Sequence, residues 1–378
     1  MKRLLLTAMT VLLLSVGTAW AGQLEDGIAA HYRGDYAEAL RIYQSLAAQG
    51  NARAQAGLGY MYLTAQGVKK DYAESLKWYQ LAADQGDASG QSSLGFMYEK
   101  GHGVPQNYAE AVKWYRLAAE QGEVWGQFGL GFMYEKEQGV TQNYAEAVKW
   151  LRLAAEQGEV AAQLELAMMY EKGRGVTQDY AEAAKWLRLA AERGNAAAES
   201  YLGLMYRKGE GVTQDDAEAR RWYQLAAAHG NVQAEVELGW MYDKGQGVPQ
   251  NYSAALQWYR LAAAQGNADA QSNLGVKYAS GQGVARDDVT ALNWYRLAAA
   301  QGNADAQSNL SLMYSKGQGV QQDYVHAYMW SNLAAAAAGN ADAVKNRDRV
   351  ATLMTPPQIA QAQKMARDCQ QRKFEGCD

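Results

Sequence analysis

Residues 52–87 read ARAQAGLGYMYLTAQGVKKDYAESLKWYQLAADQGD, and the same sentence is spoken again every 36 residues. Trp78 recurs as Trp114, Trp150, Trp186, Trp222, Trp258, Trp294 and Trp330. Leu58 recurs through Leu94, Leu130, Leu166, Leu202, Leu238 and Leu274 to Leu310, and Tyr62 through Tyr98 to Tyr314. A Gly-Val pair follows the same ruler from Gly67-Val68 to Gly319-Val320. A fixed period of this length is the mark of a repeat array, in which each unit buries its apolar face only against its neighbours. Residues 51–338 are therefore read as eight uninterrupted units.

Inside one unit, Ala54, Leu58 and Met61 or Tyr62 fall at helical spacing, so Ala52 to Tyr62 predicts a first helix, A, which Gly67 breaks. Asp71-Tyr72-Ala73-Glu74 has the form of a capping box and opens a second helix, B. Asn107 with Glu110, Asn143 with Glu146, Asp179 with Glu182 and Asp215 with Glu218 repeat it. Helix B runs through Trp78-Tyr79 and Leu81-Ala82-Ala83 to Gly86, whose left-handed conformation ends it. Small residues such as Gly59 and Ala82 let the helices approach, and Leu, Tyr and Trp fill the space between units.

The pattern Ala-x3-Leu-Gly-x-Met-Tyr, Gly-x-Gly-Val, Asp/Asn-Tyr-x-x-Ala, Trp-Tyr-x-Leu-Ala-Ala-x-x-Gly resembles the Sel1-like repeat family over eight full units. That resemblance implies an all-α fold, a right-handed α/α solenoid or superhelix of helix pairs related to tetratricopeptide repeats. It also implies an adaptor or assembly scaffold, and many bacterial members are exported. Departures are few: Glu137 stands in the first loop glycine's place, Ala167 and Ser311 in that of the helix A glycine, and Lys277 in that of Met, which puts local packing in question.

Outside the array, Lys2 and Arg3 precede an apolar run from Leu4 to Val16 ending in Ala19-Trp20-Ala21, the order of a secretory signal peptide, so residues 1–21 are expected to be removed. The run is too short to span a bilayer comfortably, and no later segment could. Residues 22–50 read as an N-terminal capping helix pair. Residues 339–378 read as C-terminal capping helices, Asn340 to Met354 and Thr355 to Arg372, the second opened by the box Thr355-Pro356-Pro357-Gln358. Export would place Cys369 and Cys377 in an oxidising compartment, where a local disulfide is expected. Such a short loop adds about 2.5 kcal/mol, enough to pin a tail. The expected location is periplasmic or secreted.

After removal of the leader, 34 basic residues face 40 acidic ones, a formal charge of -6 that gives no electrostatic footprint for nucleic acid. His31, His102, His229 and His326 are scattered, with no metal-ligand spacing, and there is no phosphate loop, nucleophile elbow or Ser-x-x-Lys motif. No catalytic residue, metal or cofactor is assigned. The Gly-x-Gly-Val loops recur in nearly every unit and so report turn geometry, and the tryptophans on the ruler read as inter-repeat core rather than a stacking ladder.

The informative positions are those the repeat leaves free. Positions 53, 56, 60 and 64 of the first unit lie opposite the buried stripe of helix A and are expected to line a concave surface. Along the array the third of these gives Tyr60, Phe96, Phe132, Met168, Leu204, Trp240, Val276 and Leu312, with Lys100, Lys136, Lys172, Lys208, Lys244 and Lys316 beside them. Packing against the neighbouring helix A would account for that row equally well. Trp125 and Phe128 exceed what the repeat requires. The candidate binding residues are thus Tyr60, Phe96, Trp125, Phe128, Phe132, Met168 and Trp240. The partner expected is a protein or peptide, within an envelope complex, held in a non-catalytic scaffold. The alternatives are an enzyme acting on cell-wall material or β-lactams, against which the missing nucleophile motifs weigh, and a surface or host-interaction factor.

Overall fold

A computed structural model describes residues 22–336, 341–374, 376 and 377, so the leader read at 1–21 lies outside the described residues. The described residues form twenty helices and no strand. Helix α1 covers 22–32 and α2 covers Tyr36–Ala48. The helix A and helix B pairs follow: α3 (Ala52–Thr64) with α4 (Tyr72–Asp84), α5 (Ala88–Lys100) with α6 (Tyr108–Glu120), and α7 (Val124–Lys136) with α8 (Tyr144–Glu156). Next come α9 (Val160–Lys172) with α10 (Tyr180–Ala191), α11 (Ala196–Lys208) with α12 (Asp216–Ala228), and α13 (Val232–Lys244) with α14 (Tyr252–Ala264). The array closes with α15 (Ala268–Ser280) and α16 (Asp288–Ala299), then α17 (Ala304–Lys316) and α18 (Tyr324–Ala335), before α19 (Ala341–Ala351) and α20 (Pro356–Gln371). They make two compact bodies, one up to Ala190 and one from Ala191 onward. Each is a stack of helix pairs.

Local chemistry sets the boundaries. Asp71 Oδ1 accepts from the N–H groups of Ala73 and Glu74 at 2.9 and 3.1 Å, as an N-cap should. The reciprocal arm of the expected capping box is not made. The Asp71 N–H donates instead to the Tyr62 carbonyl at 3.1 Å, closing the loop between the helices, and Asn107 and Asn143 do the same to Tyr98 and Tyr134. With that donor occupied, Glu74, Glu110 and Glu146 turn outward to Lys77, Lys113 and Lys149. At α20 the box does form, with Gln358 Oε1 accepting from the Thr355 N–H at 2.9 Å.

Helix A ends two residues earlier in the loop than the glycine at 67 suggests. Its C-cap is left-handed: Gly101 at φ 69° in α5, but Ala65 at φ 60° in α3 and Glu137 at φ 59° in α7. Gly67 and its equivalents serve a second purpose. A Cβ on Gly103 would lie 2.5 Å from the Tyr72 carbonyl oxygen, so the loop of one unit can lie against helix B of the preceding one only without a side chain.

The packing refines the role of the ruler tryptophans: Trp330 is buried core, while earlier ones pack on the inter-repeat clusters from a half-buried position. Trp78, Trp114 and Trp150 contact clusters formed jointly by the preceding helices and their own helix A, but they are half-buried, with the Lys77, Lys113 and Lys149 ammonium groups over their rings at 5.3, 5.2 and 4.7 Å. The wedge fully enclosed between helices is the next residue, Tyr79, Tyr115, Tyr223, Tyr259 or Tyr295. Helix A glycines exist for it, since a Cβ on Gly59 would meet the Tyr79 ring at 2.7 Å. The departures at this contact coincide with changes on helix B: Ala167 occurs in a unit with Leu187 in the tyrosine's place, although Leu151 stands there beside a retained Gly131, and Ser311 occurs where Ser331 replaces the tyrosine.

A buried polar ladder also runs along helix A. Gln85 Nε2 donates to Gln55 Oε1 at 2.7 Å, Gln121 to Gln91 at 2.7 Å, Gln157 to Gln127 at 2.9 Å and Gln301 to Gln271 at 2.8 Å. Each rung ties the end of helix B to the start of its own helix A. Where the buried partner is Glu199, the rung is His229, with Nδ1 2.8 Å from the carboxylate. Lys277, at a Met position of the ruler, stays buried by a close ion pair with Asp243 and donates to Gln282 Oε1 at 2.8 Å.

The second body closes on α19 and α20. Cys369 and Cys377 are joined, with Cα atoms 5.3 Å apart, and Phe374 of the tail lies against Gly302.

Candidate functional site

The richest concavity among the described residues belongs to the first body. A cavity of about 520 Å³ is lined by Tyr60 and Leu63 of α3, by Ser89, Ser92, Ser93, Phe96, Glu99 and Lys100 of α5, and by Trp125, Phe128, Gly129 and Phe132 of α7. Tyr79 and Tyr115 supply its floor from helix B, and Glu123 stands at its edge. A second cavity, about 460 Å³, shares Tyr60, Tyr79, Ser89, Ser93 and Trp125 with the first and extends past Ala56 and Arg53 to His31 and Tyr32 of α1. Together they form one aromatic groove.

Helical periodicity explains the convergence. Trp125, Phe128 and Phe132 are three and four residues apart and share one face of α7. Their ring centroids are 6.3 Å apart between Trp125 and Phe128, edge to face, and 6.2 Å between Phe128 and Phe132. Trp125 is 57 % exposed and Tyr60 45 %, whereas Phe96, Phe128 and Phe132 are half-buried. An indole this open on a helix whose other face is already packed gains little from the fold.

Five of the seven candidate residues therefore meet in this groove: Tyr60, Phe96, Trp125, Phe128 and Phe132. Met168 on α9 is 37 % exposed and is not part of the lining. Trp240 belongs to the second body, half-buried with the Arg207 guanidinium 4.9 Å from its ring. Of the four arc positions in the first unit, Ala56 is buried and only Arg53, Tyr60 and Thr64 reach solvent. Sequence reasoning missed the floor, because Tyr79 and Tyr115 look like ruler residues of helix B.

Electrostatics give the groove a polar base. Tyr115 donates to Glu99 Oε2 at 2.7 Å, and Lys100 forms a close ion pair with the other oxygen of Glu99. Burial first, and then the Glu99 and Glu123 carboxylates, push the Tyr115 phenol well above its ordinary value. Burial pushes Tyr79 up as well. Both phenols therefore stay protonated donors. Among the described residues no group of three or more His, Cys, Asp or Glu side chains could hold a metal ion, and no helix is long and apolar enough to cross a membrane.

An array of helix pairs on a 36-residue period defines a class of repeat protein, and comparison names it. The Sel1 repeat profile matches residues 21–51, 52–87, 88–123, 126–159, 160–195, 196–231, 232–267, 268–303 and 304–338. The chain belongs to the Sel1 repeat family, and its matched segments include 21–51, where α1 and α2 lie. It is similar to c5321, a protective antigen present in uropathogenic Escherichia coli strains displaying an SLR fold, with 32 % identity over 95 % of this chain and 93 % of that one and a TM-score of 0.50. It is also similar to a Sel1 repeat protein from Oxalobacter formigenes, with 32 % identity over 82 % of this chain and 90 % of that one and a TM-score of 0.64. No curated protein matches the chain.

Proposed function

We propose that the protein is a non-catalytic scaffold of the cell envelope, periplasmic or secreted, whose aromatic groove on α3, α5 and α7 holds a segment of a protein partner. Sel1 repeat solenoids are typically protein-interaction folds. The observation that carries the reading is Trp125: an indole 57 % exposed, set edge to face on Phe128 at the rim of a cavity of about 520 Å³, in a place where no other unit has an aromatic residue. Aromatic anchors beside a desolvated pocket are the usual composition of an interaction hot spot. Export is supported by the order of residues 1–21 and by the Cys369–Cys377 bond, which suits an oxidising compartment.

Affinity capture from an envelope extract tests it, using the protein and its Trp125→Ala/Phe128→Ala variant side by side. A partner retained by the first and lost by the second is the expected result. A partner held equally by both would move the binding surface elsewhere. Hydrolysis of a chromogenic β-lactam or of peptidoglycan would replace the scaffold by an enzyme.

A further inference from the structure

The helix A N-caps of the array carry more charge than capping uses. Asn51, Asn195, Asn231, Asn267 and Asn303 cap α3, α11, α13, α15 and α17, each accepting a backbone N–H at 2.9 Å through Oδ1. At α5, α7 and α9 the same place is taken by Asp87, Glu123 and Glu159. Asp87 and Glu123 accept the equivalent bond at 2.7 and 2.6 Å, and Glu159 accepts from the N–H of Ala161, one residue earlier, at 3.1 Å, so the fold gains a cap that an uncharged amide provides elsewhere. Glu is also a less favoured N-cap than Asn or Asp. The acids are confined to the stretch that carries Trp125 and Phe128.

Their charge is only partly neutralised. Arg53 reaches Asp87 at 3.7 Å and Lys100 neutralises Glu99, but among the described residues no cation pairs with Glu123 or Glu159. Glu123 stands at the edge of the cavity, and its field is felt at the floor, where it helps hold the Tyr115 phenol protonated. Residues 22–190 hold 16 basic and 21 acidic side chains, against 18 and 19 in residues 191–378, so the excess of negative charge is concentrated in the body that has the groove. Aromatic faces add to it, because a ring presents negative charge to a cation above it. The chain's own Lys100 and Lys136 ammonium groups lie 6.0 and 5.3 Å from the Phe96 and Phe132 centroids.

We propose that the groove takes a segment of a protein partner in which an aliphatic or aromatic anchor is followed within about two residues by arginine or lysine, the anchor against Trp125, Phe128 and Phe132 and the cation at Glu123. This rests on the reading of the groove as a protein-docking site and adds the sign of the partner's charge. An arginine fits best: its planar head stacks on an indole and meets a carboxylate with two parallel donors. A neutral or acidic segment would leave Glu123 without a counter-ion when the groove is covered, which opposes binding.

The test is selection of random dodecapeptides displayed on phage against the immobilised full-length chain, its Trp125→Ala/Phe128→Ala variant and its Glu123→Gln/Glu159→Gln variant. Glutamine keeps the cap's acceptor oxygen, so the second variant changes charge without removing the bond. The expected outcome is enrichment on the unmodified chain of peptides with Arg or Lys next to an apolar anchor. Replacing that Arg by Gln in the best synthetic peptide should weaken binding at least tenfold, and less than threefold on the Glu123→Gln/Glu159→Gln chain. Added salt should erode the same preference. Enrichment of apolar peptides without basic residues, or an Arg-to-Gln loss undiminished on the charge variant, would overturn this inference while leaving the docking groove standing. Enrichment no greater than on the Trp125→Ala/Phe128→Ala chain would overturn both.

Discussion

Lys277→Met puts the repeat's usual residue back into α15, and the structure says it should do harm. Lys277 has 4 % of its side chain exposed and Asp243 has 10 %, and they are ion-paired, with Gln282 Oε1 accepting a further bond at 2.8 Å. The Tyr252 ring lies 4.9 Å from the ammonium. Removing one member of a buried pair typically costs about 3 to 5 kcal/mol, because the remaining charge is left without its counter-ion. Lys244 remains 3.7 Å from the other oxygen of Asp243 but is 58 % exposed, so it offsets little and places the loss near 3 kcal/mol. Lys277→Met combined with Asp243→Asn removes both charges and should return to within about 1 kcal/mol of the parent or exceed it. Because repeat arrays unfold in segments, hydrogen exchange of α13 and α15 is a better assay than one melting temperature. Expected is faster exchange in both helices of the single variant and its reversal in the double one. A single variant as protected as the parent would refute the reasoning.

Other consequences are as direct. Glu137→Gly and Ala65→Gly relieve left-handed non-glycine caps at φ 59° and 60°, and each should raise stability by about 1 kcal/mol, read from urea midpoints. Gly59→Ala places a Cβ 2.7 Å from the Tyr79 ring and should cost about 1 to 3 kcal/mol, measurable in the same titration. Reducing the Cys369–Cys377 bond should loosen the tail alone, costing at most about 2.5 kcal/mol, with exchange in α3 to α8 unchanged. N-terminal sequencing of secreted material should begin at Gly22, whereas a Met1 terminus would argue for retention of the leader.

The repeat made the helix pairs legible because Trp78, Leu58, Tyr62 and Gly67 return at one spacing, and a period of 36 residues leaves one register. What a period cannot say is which of two adjacent aromatics points inward. Trp78 recurs in every unit while the Tyr79 position changes to Leu151, Leu187 and Ser331, yet it is Tyr79 that Gly59 admits, while Trp78 lies under Lys77. The glutamine ladder was hidden for a similar reason, since Gln55 and Gln85 read as polar surface until folding brings them to 2.7 Å. The capping box failed at its second arm because its donor bonds a carbonyl nine residues earlier, a contact that depends on the loop between helices. For the groove, comparing each unit with its neighbours singled out Trp125 and Phe128 as surplus. The same comparison overextended to Met168 and Trp240, which share the register but not the cavity.

The central claim is that Trp125 serves a partner rather than the fold, and paired measurements on Trp125→Ala test it most directly. A buried aromatic removes about 150 to 250 Å² from water, and an indole 57 % exposed keeps less than half of that, so at about 25 cal/mol per Å² the stability loss is at most about 2.7 kcal/mol. Loss of an interfacial anchor should weaken the captured partner's binding by about 2 kcal/mol or more, roughly thirtyfold. Leu151→Ala, at a residue 0 % exposed on α8, provides the opposite profile, losing about 3 to 5 kcal/mol of stability. The account predicts that Trp125→Ala keeps a urea midpoint well above that of Leu151→Ala while its affinity for the partner falls at least thirtyfold. Unchanged affinity, or a midpoint as low as that of Leu151→Ala, would contradict it.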